Sequence, residues 1–452
     1  MAEDYTRQIA GFAVHSKSSD VPSAIRHEAT RALVNWMGLP INACLSDTVN
    51  RVVAAFGEFS GPRQATLLGR GDKIDIFQAA LINSLGSSID AYDDTHLATI
   101  IHPTCVIVPV ILALSEIRRV TGSEFLHALI LGIEIQCRLA RALLVPPAEC
   151  DEAWFLTGLT GGVGAAAAAG RLLGLNEQQM VWAISMGAAR AAGTRETHGT
   201  MVMPLIPSWA AEGGLRAAIL ARQDFNAPDT QIEGARGLGR VYARKTNFPV
   251  LVDRLGEYWE LTQNAYKPFP SGIVMHGAIT AALEVAVEFH PEPKEIRRVE
   301  LVVHPLCLKL TGRRIPKKIE DISFSVYHWV AIAFIDRRIG INQFSEAYIA
   351  DPAVATLRDR VEAKADESFK RDEAHIRVTL SDGRIIERHI DHALGSIERP
   401  MSDQELTAKL HDLSDHVIGA HAAGLLADRC WGIEQAPDAS AIVKAACGMD
   451  KP

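Results

Sequence analysis

The chain has 452 residues, of which 48% are hydrophobic, 22% charged and 6% aromatic. That apolar content excludes a largely disordered chain, and at about 100–200 residues per domain the length predicts two to four domains. Net charge is −8, from 54 acidic and 46 basic residues, which argues against a nucleic-acid partner, whose binder carries a basic surplus.

The opening Met1-Ala2-Glu3-Asp4-Tyr5 is acidic and lacks an apolar signal segment, so a cytoplasmic location is expected. Residues 5–265 read as helices. Asp20-Val21-Pro22-Ser23 opens a segment whose Ile25, Ala29, Leu33, Val34 and Met37 form a buried stripe. Pro103 to Arg118 reads as a central, almost wholly apolar helix. Its run Val106 to Leu114 is too short to span a membrane and holds Pro109, so no membrane segment is expected. Thr121-Gly122-Ser123-Glu124 resembles a helix start, followed by apolar Phe125 to Leu144. The Ala- and Gly-rich stretch Gly161 to Leu173 predicts a tightly packed core helix, and Leu175-Asn176-Glu177 restarts another. After Pro268 the character changes. Glu295 to Lys309 alternates as a strand, and His375 to His389 reads as a hairpin turning at Ser381-Asp382-Gly383. Phe324 to Ile339 and Pro352 to Lys364 look helical. Ser402 and Glu405 have capping-box spacing before a helical tail that runs to about residue 445.

Four polar segments stand out. Asp93-Asp94-Thr95-His96, with His102-Pro103, pairs carboxylate with imidazole and suits proton transfer near neutral pH; it equally suits a helix-capping loop. Tyr266-Lys267-Pro268-Phe269-Pro270, with His276 beyond it, holds a lysine against apolar walls. Such a lysine binds a carboxylate or acts as a base; it also fits a linker with a snorkelling side chain. Arg195, in Arg195-Glu196-Thr197-His198, suits a bidentate carboxylate clamp or an ordinary surface turn. Tyr327 offers a phenol to a cleft or to the core. The seven cysteines are widely spaced with no CxxC, and His102-Pro103-Thr104-Cys105 alone makes no metal site.

Taken in order, these segments resemble the MmgE/PrpD family. The resemblance runs through Tyr92 to His96 with His102-Pro103, Gly132 to Gln136 with Arg138, and Gly164 to Leu175. It continues through Arg195-Glu196 with Gly199 to Met201, Tyr266 to Pro270 with His276, Phe324 to Tyr327, and Glu398-Arg399-Pro400. It implies a mainly α protein with an α+β second domain. A large all-helical domain (1–267 and 397–452) would carry a smaller α+β lid domain (268–396), with the active site in the cleft between them. It also implies a homodimer, a small carboxylate substrate, and no metal or organic cofactor. Residue by residue, the resemblance assigns catalysis to His102, Lys267, the pair Asp93 and Asp94, and Tyr327. Thr95, His96, Arg195, His276, Met203 and Ala91 are expected to bind substrate.

The family includes 2-methylcitrate dehydratase, cis-aconitate decarboxylase and iminodisuccinate epimerase. Their shared theme is proton abstraction next to a carboxylate, then loss of water, loss of CO₂ or reprotonation. Three positions depart from the dehydratase and decarboxylase pattern. Ala91 stands where an aspartate is usual, with Asp90 one residue early; Phe155 stands near the place of a histidine; Met203 replaces a lysine. Losing a cation removes a charged contact worth about 1.5–3 kcal/mol. The substrate is therefore expected to be less anionic than a tricarboxylate, unless Arg195, Arg313 or Arg314 compensates. The expected activity is a cofactor-independent lyase. An epimerase of an iminodisuccinate-like dicarboxylate and a non-catalytic carboxylate binder are the alternatives.

Overall fold

The structure, a computed structural model, describes residues 4–447. Met1-Ala2-Glu3, the first part of the acidic opening, lies outside them. The described chain divides into two compact units. The first holds residues 4–89, 93–264 and 403–447, and the second holds 90–92 and 265–402.

Nine longer helices build the first unit before its C-terminal return. They are α1 (Tyr5–His15), α2 (Ser23–Asn42), α3 (Asp47–Gly57), α4 (Ile76–Ser88) and α5 (Thr104–Ile117), then α6 (Gly122–Leu144), α7 (Leu156–Leu173), α8 (Glu177–Ala189) and α9 (Leu205–Ala221). Every residue of α7 except Arg171 is buried, so it is the centre of the unit. A helix apolar all round must be surrounded, and α5, α6, α8 and α9 pack on it. Its glycines serve close approach. A Cβ on Gly164 would sit 2.6 Å from the Gly132 carbonyl of α6, and one on Gly187 of α8 would sit 2.4 Å from the Gly162 carbonyl. α6 starts with a complete capping box: the Thr121 hydroxyl accepts from the Glu124 amide at 3.3 Å, and Glu124 Oε2 accepts from the Thr121 amide at 2.8 Å. The Asp403–Ile418 helix packs along α2, where Lys409 donates to Asn35 Oδ1 at 2.7 Å. Short strands Ala65–Thr66, Lys73–Ile74, Glu149–Cys150 and Ala243–Lys245 interrupt the otherwise helical stretch. Among the described residues no helix is long and apolar enough to cross a membrane.

The second unit is α+β. Its sheet runs in the order Ile385–Ile390, Ala374–Leu380, Ile296–Val303, Val361–Ala365. The first three strands are antiparallel and the last is parallel to Ile296–Val303. Ile296, Val299, Leu301, Ile376 and Val378 face a core completed by the His276–Phe289 and Val326–Asp336 helices. The hairpin turns at Gly383, whose φ of +88° favours glycine.

Two sequence expectations need correction here. The strand begun at Ile296 ends at Val303 rather than near Lys309, because His304 Nδ1 accepts from the Leu306 amide and Pro305 opens a helix to Thr311. The helix expected over Pro352 to Lys364 stops at Asp359, and Val361–Ala365 is an edge strand held by its parallel neighbour.

His328 is fully buried, and neither ring nitrogen has a hydrogen-bond partner among the described residues. Burial, with the Arg358 charge, pushes its pKa down to about 4. A histidine depressed in the fold favours folding above its unfolded pKa of about 6.5, and that contribution is lost as pH falls toward 4. At about 1.4 kcal/mol per unit the acid loss is roughly 3 kcal/mol. His328→Leu should therefore gain stability at pH 4.5 relative to pH 7.5. Urea midpoints at both pH values check this.

Candidate active site

The centre of interest in the first unit is the turn from Asp93 to His102. His96 donates its amide to the Ile101 carbonyl at 2.9 Å and accepts from the Ile100 amide at 2.8 Å. The turn holds Ile100 at φ +55°, a strained conformation for a β-branched side chain. It folds the chain back so that His102 lies against the preceding residues.

Asp94–His96 is extended, and side chains of extended residues alternate sides. Asp93 and Thr95 fall on one side. Asp93 Oδ1 lies 3.4 Å from His102 Nδ1, and Thr95 Oγ1 lies 3.3 Å from the same nitrogen. His102 Nδ1 also lies 2.8 Å from the Asp94 carbonyl oxygen. A carbonyl only accepts, so this contact places the proton on Nδ1 and leaves the lone pair of the neutral ring on Nε2. The Thr157 hydroxyl, at the start of α7, accepts from the His102 amide at 3.2 Å. The His102 side chain is 18% exposed, so it is braced but accessible.

Asp94 and His96 turn to the other side and are fully buried. Asp94 accepts from the Thr104 hydroxyl and from Asn264 Nδ2, the latter at 2.7 Å. Burial, then the Asp93 charge, pushes its carboxyl up to about 6. His96 meets Thr99 Oγ1 at 2.7 Å and Glu260 Oε2 at 3.2 Å. Glu260 also takes Arg141, and its amide donates to Glu134 Oε2 at 2.7 Å. Burial raises the Glu260 carboxyl, but hydrogen bonds and charge from His96 and Arg141 outweigh it and hold the pKa below the usual range. The four-residue polar run therefore splits: Asp93 and Thr95 attend His102, while Asp94 and His96 anchor the turn.

A second segment reaches the same imidazole. Trp154 bridges to Thr194, and the Phe155 amide donates to the Gly193 carbonyl at 3.1 Å. Phe155, just ahead of α7, has edge contacts with His102 at 6.2 Å and His198 at 5.7 Å between ring centroids. Burial, then the charges of Arg195 and His102, pushes His198 down to about 4, so it is neutral near pH 7. Arg195 Nε donates to the Trp154 carbonyl at 3.3 Å. Met203 is half-buried just before α9. Neither His198, within the Arg195 segment, nor Thr157, two residues after Phe155, is marked by the sequence as a neighbour of His102. Cys105 is fully buried, its thiol donating to the His102 carbonyl.

The second unit carries the remaining expected residues. Lys267 is only 2% exposed. Its loop is held by Tyr92, whose hydroxyl donates to the Pro268 carbonyl at 2.9 Å, and by Phe269, which packs edge-on against buried His276 at 5.3 Å. Ala91 has φ +48°, a left-handed conformation that alanine rarely adopts. Tyr327 is half-buried beneath the Arg314 guanidinium, 4.5 Å from its ring centre. Arg314 also donates to the Val361 and Asp359 carbonyls, and Arg313 pairs with Asp321. Both of these possible substitutes for a lost cation therefore have protein partners.

The chain matches the MmgE/PrpD N-terminal domain over residues 7–251 and the MmgE/PrpD C-terminal domain over residues 269–433. Curated relatives include a cis-aconitate decarboxylase of Aspergillus terreus, 23% identical over 97% of this chain and 95% of the relative. Cis-aconitate decarboxylases of Mus musculus and Homo sapiens are 25% and 26% identical, over 90% and 87% of this chain and 86% and 84% of theirs. With both halves matched in order, the chain belongs to the MmgE/PrpD family.

Proposed function

We propose that this protein is a cofactor-independent lyase that acts on a small carboxylic acid. The observation that carries the reading is the braced imidazole of His102, its proton fixed on Nδ1 and Asp93 and Thr95 beside it. Such a ring takes a proton from carbon next to a carboxylate through Nε2, and the resulting imidazolium returns one. Asp93 orients it and stabilises the charged form. Asp94, turned toward Thr104 and Asn264, is a positioning residue.

The relatives support decarboxylation as the preferred lyase chemistry. In that reaction the C–COO⁻ bond breaks, CO₂ leaves, and the electron pair left on carbon takes a proton from Nε2 of the His102 imidazolium, which is recharged from water, so one proton is consumed overall. A cation next to the carbon on which the negative charge develops, or next to a carboxylate conjugated with it, lowers the barrier. We assign that work to Lys267, with Tyr327 as a hydrogen-bond donor, and carboxylate binding to Arg195. His276 and Thr95 complete the binding set, while His96 contributes by anchoring the turn. Met203 and Ala91 add no charge to this set, so the substrate carries fewer carboxylates than a tricarboxylate. The homodimer and the cytoplasmic location belong to the same proposal.

Epimerisation is the second reading. It is favoured by Phe155 and Met203, which put apolar groups where the dehydratase and decarboxylase pattern has a histidine and a lysine. Proton NMR in D₂O, with cis-aconitate, citrate, 2-methylcitrate, iminodisuccinate and simpler dicarboxylates, separates the readings. Deuterium uptake with loss of CO₂ or water supports the lyase. Exchange with stereochemical scrambling alone replaces it with the epimerase. Binding without exchange on any acid overturns both in favour of a non-catalytic carboxylate binder.

A further inference from the structure

We propose that Asp372, His392 and Glu398 bind one divalent cation of the zinc class and so staple together two loops, one packed on the Lys267 segment and one on the helix that follows it. This inference concerns the second unit alone and does not rest on the reaction proposed above.

The donor geometry is the first argument. His392 Nδ1 lies 2.9 Å from Asp372 Oδ2 and 3.6 Å from Glu398 Oε2, and all three donor atoms lie within 4.8 Å of one another. Zinc bonds nitrogen and carboxylate oxygen at about 2.0–2.2 Å, which in a tetrahedron separates donors by roughly 3.4 Å. The trio needs only small side-chain shifts to meet that spacing. One imidazole nitrogen with two oxygens is also a donor set suited to zinc and its neighbours.

Charge is the second argument. Two carboxylates converge on one ring nitrogen, and one N–H serves only the nearer of them well. Neither Asp372 nor Glu398 has a lysine or arginine partner among the described residues. A cation at the focus would neutralise both. Side-chain exposure of 24% at Asp372, 27% at His392 and 54% at Glu398 leaves an entry path and room for water in the remaining position.

Position gives the site its consequence. The His392–Glu398 loop presses on the segment around Lys267, and the Asp372 loop presses on the start of the His276–Phe289 helix, which follows that segment in the chain. Gly395, between His392 and Glu398, has φ +83°, and a Cβ there would lie 2.3 Å from the Tyr266 carbonyl and 2.7 Å from Pro268 Cδ. The Asp372 carbonyl lies 2.6 Å from where a Gly277 Cβ would stand, next to His276. A cation joining these loops would limit the freedom of the residues flanking Lys267.

The test is calorimetric titration of the full-length, chelator-stripped protein with zinc chloride, and with magnesium chloride as a comparison. The expected result is one zinc ion per chain and no comparable magnesium binding. His392→Ala should weaken zinc binding at least ten-fold, and Glu398→Gln several-fold. His389→Ala serves as the control, because His389 also faces two carboxylates, Glu373 at 3.2 Å and Asp391 at 3.5 Å, outside the trio. It should leave the zinc affinity unchanged. Hydrogen exchange over residues 264–272 should slow with zinc in the parent and not in the Glu398→Gln variant. Should His392→Ala fail to fold, half-exposed Glu398 still supplies the comparison. Absence of saturable binding, or binding indifferent to both substitutions, overturns the site. Binding without slower exchange overturns the staple.

Discussion

His102→Asn is expected to lower kcat by about 10²- to 10⁴-fold, the range for loss of a positioned general acid–base group. Melting should shift little. Asparagine still offers an N–H toward the Asp94 carbonyl, which His102 Nδ1 meets at 2.8 Å, so the turn keeps its brace. It has no lone pair at the position of Nε2 and does not cycle a proton. The backbone contact to Thr157 is unaffected, since it uses the His102 amide. Asp93→Asn should cost less, because Asp93 acts through the ring, 3.4 Å from Nδ1, rather than on substrate. Its mark should be a shifted acid limb of the kcat profile, as the imidazolium loses its nearest negative charge. Steady-state kinetics with circular dichroism as a fold check decide the matter. A His102→Asn variant that keeps a third or more of parent kcat removes His102 from the mechanism.

How much was legible in the chain follows from how local each signal is. The Thr121–Glu124 capping box and the apolar α5 were readable because their causes lie within one turn or one helix face. The hairpin was readable because alternation and Ser381-Asp382-Gly383 sit together. The edge strand Val361–Ala365 was not, because its short, mostly exposed sequence is selected by the neighbour it pairs with. The candidate site divides in the same way. Asp93, Thr95 and His102 were visible as a polar cluster, and the cluster did form. Which carboxylate faces the imidazole was not visible, because it depends on the extended backbone at Asp94–His96. His198 was invisible as a neighbour of His102, since the Trp154–Thr194 bridge joins segments some forty residues apart.

The largest expected stability effect lies beneath that turn. Arg138 is 1% exposed and uses four of its five N–H donors: Nε to Glu134 Oε1 at 2.5 Å, Nη1 to the Val250 and Asp253 carbonyls at 3.0 and 2.7 Å, and Nη2 to the Tyr258 carbonyl at 3.0 Å. Arg138→Met should cost about 3–5 kcal/mol, the usual result of breaking a buried pair on one side only. Arg138→Lys should recover little, because one ammonium does not span four acceptors in a planar fork. The pH dependence gives the sign. Burial, opposed by Arg138, holds the Glu134 carboxyl at about 7 against an ordinary value near 4.5. An acid raised in the fold favours folding fully below its unfolded pKa, and that contribution is lost as pH rises through the folded value. Without Arg138 the folded pKa climbs further and the window of loss extends above 7. The deficit of Arg138→Met should therefore be smallest near pH 5 and grow toward pH 8.5. Adding Glu134→Gln should flatten that dependence while leaving the three carbonyls unserved. Denaturant unfolding at pH 5, 7 and 8.5 reads all three variants. Because the 250–260 segment held by Arg138 supplies Glu260 to His96, the same variant should also lose turnover at pH 7 beyond its loss of folded protein. A deficit independent of pH would mean that the orphaned carbonyls, not the Glu134 charge, set its size.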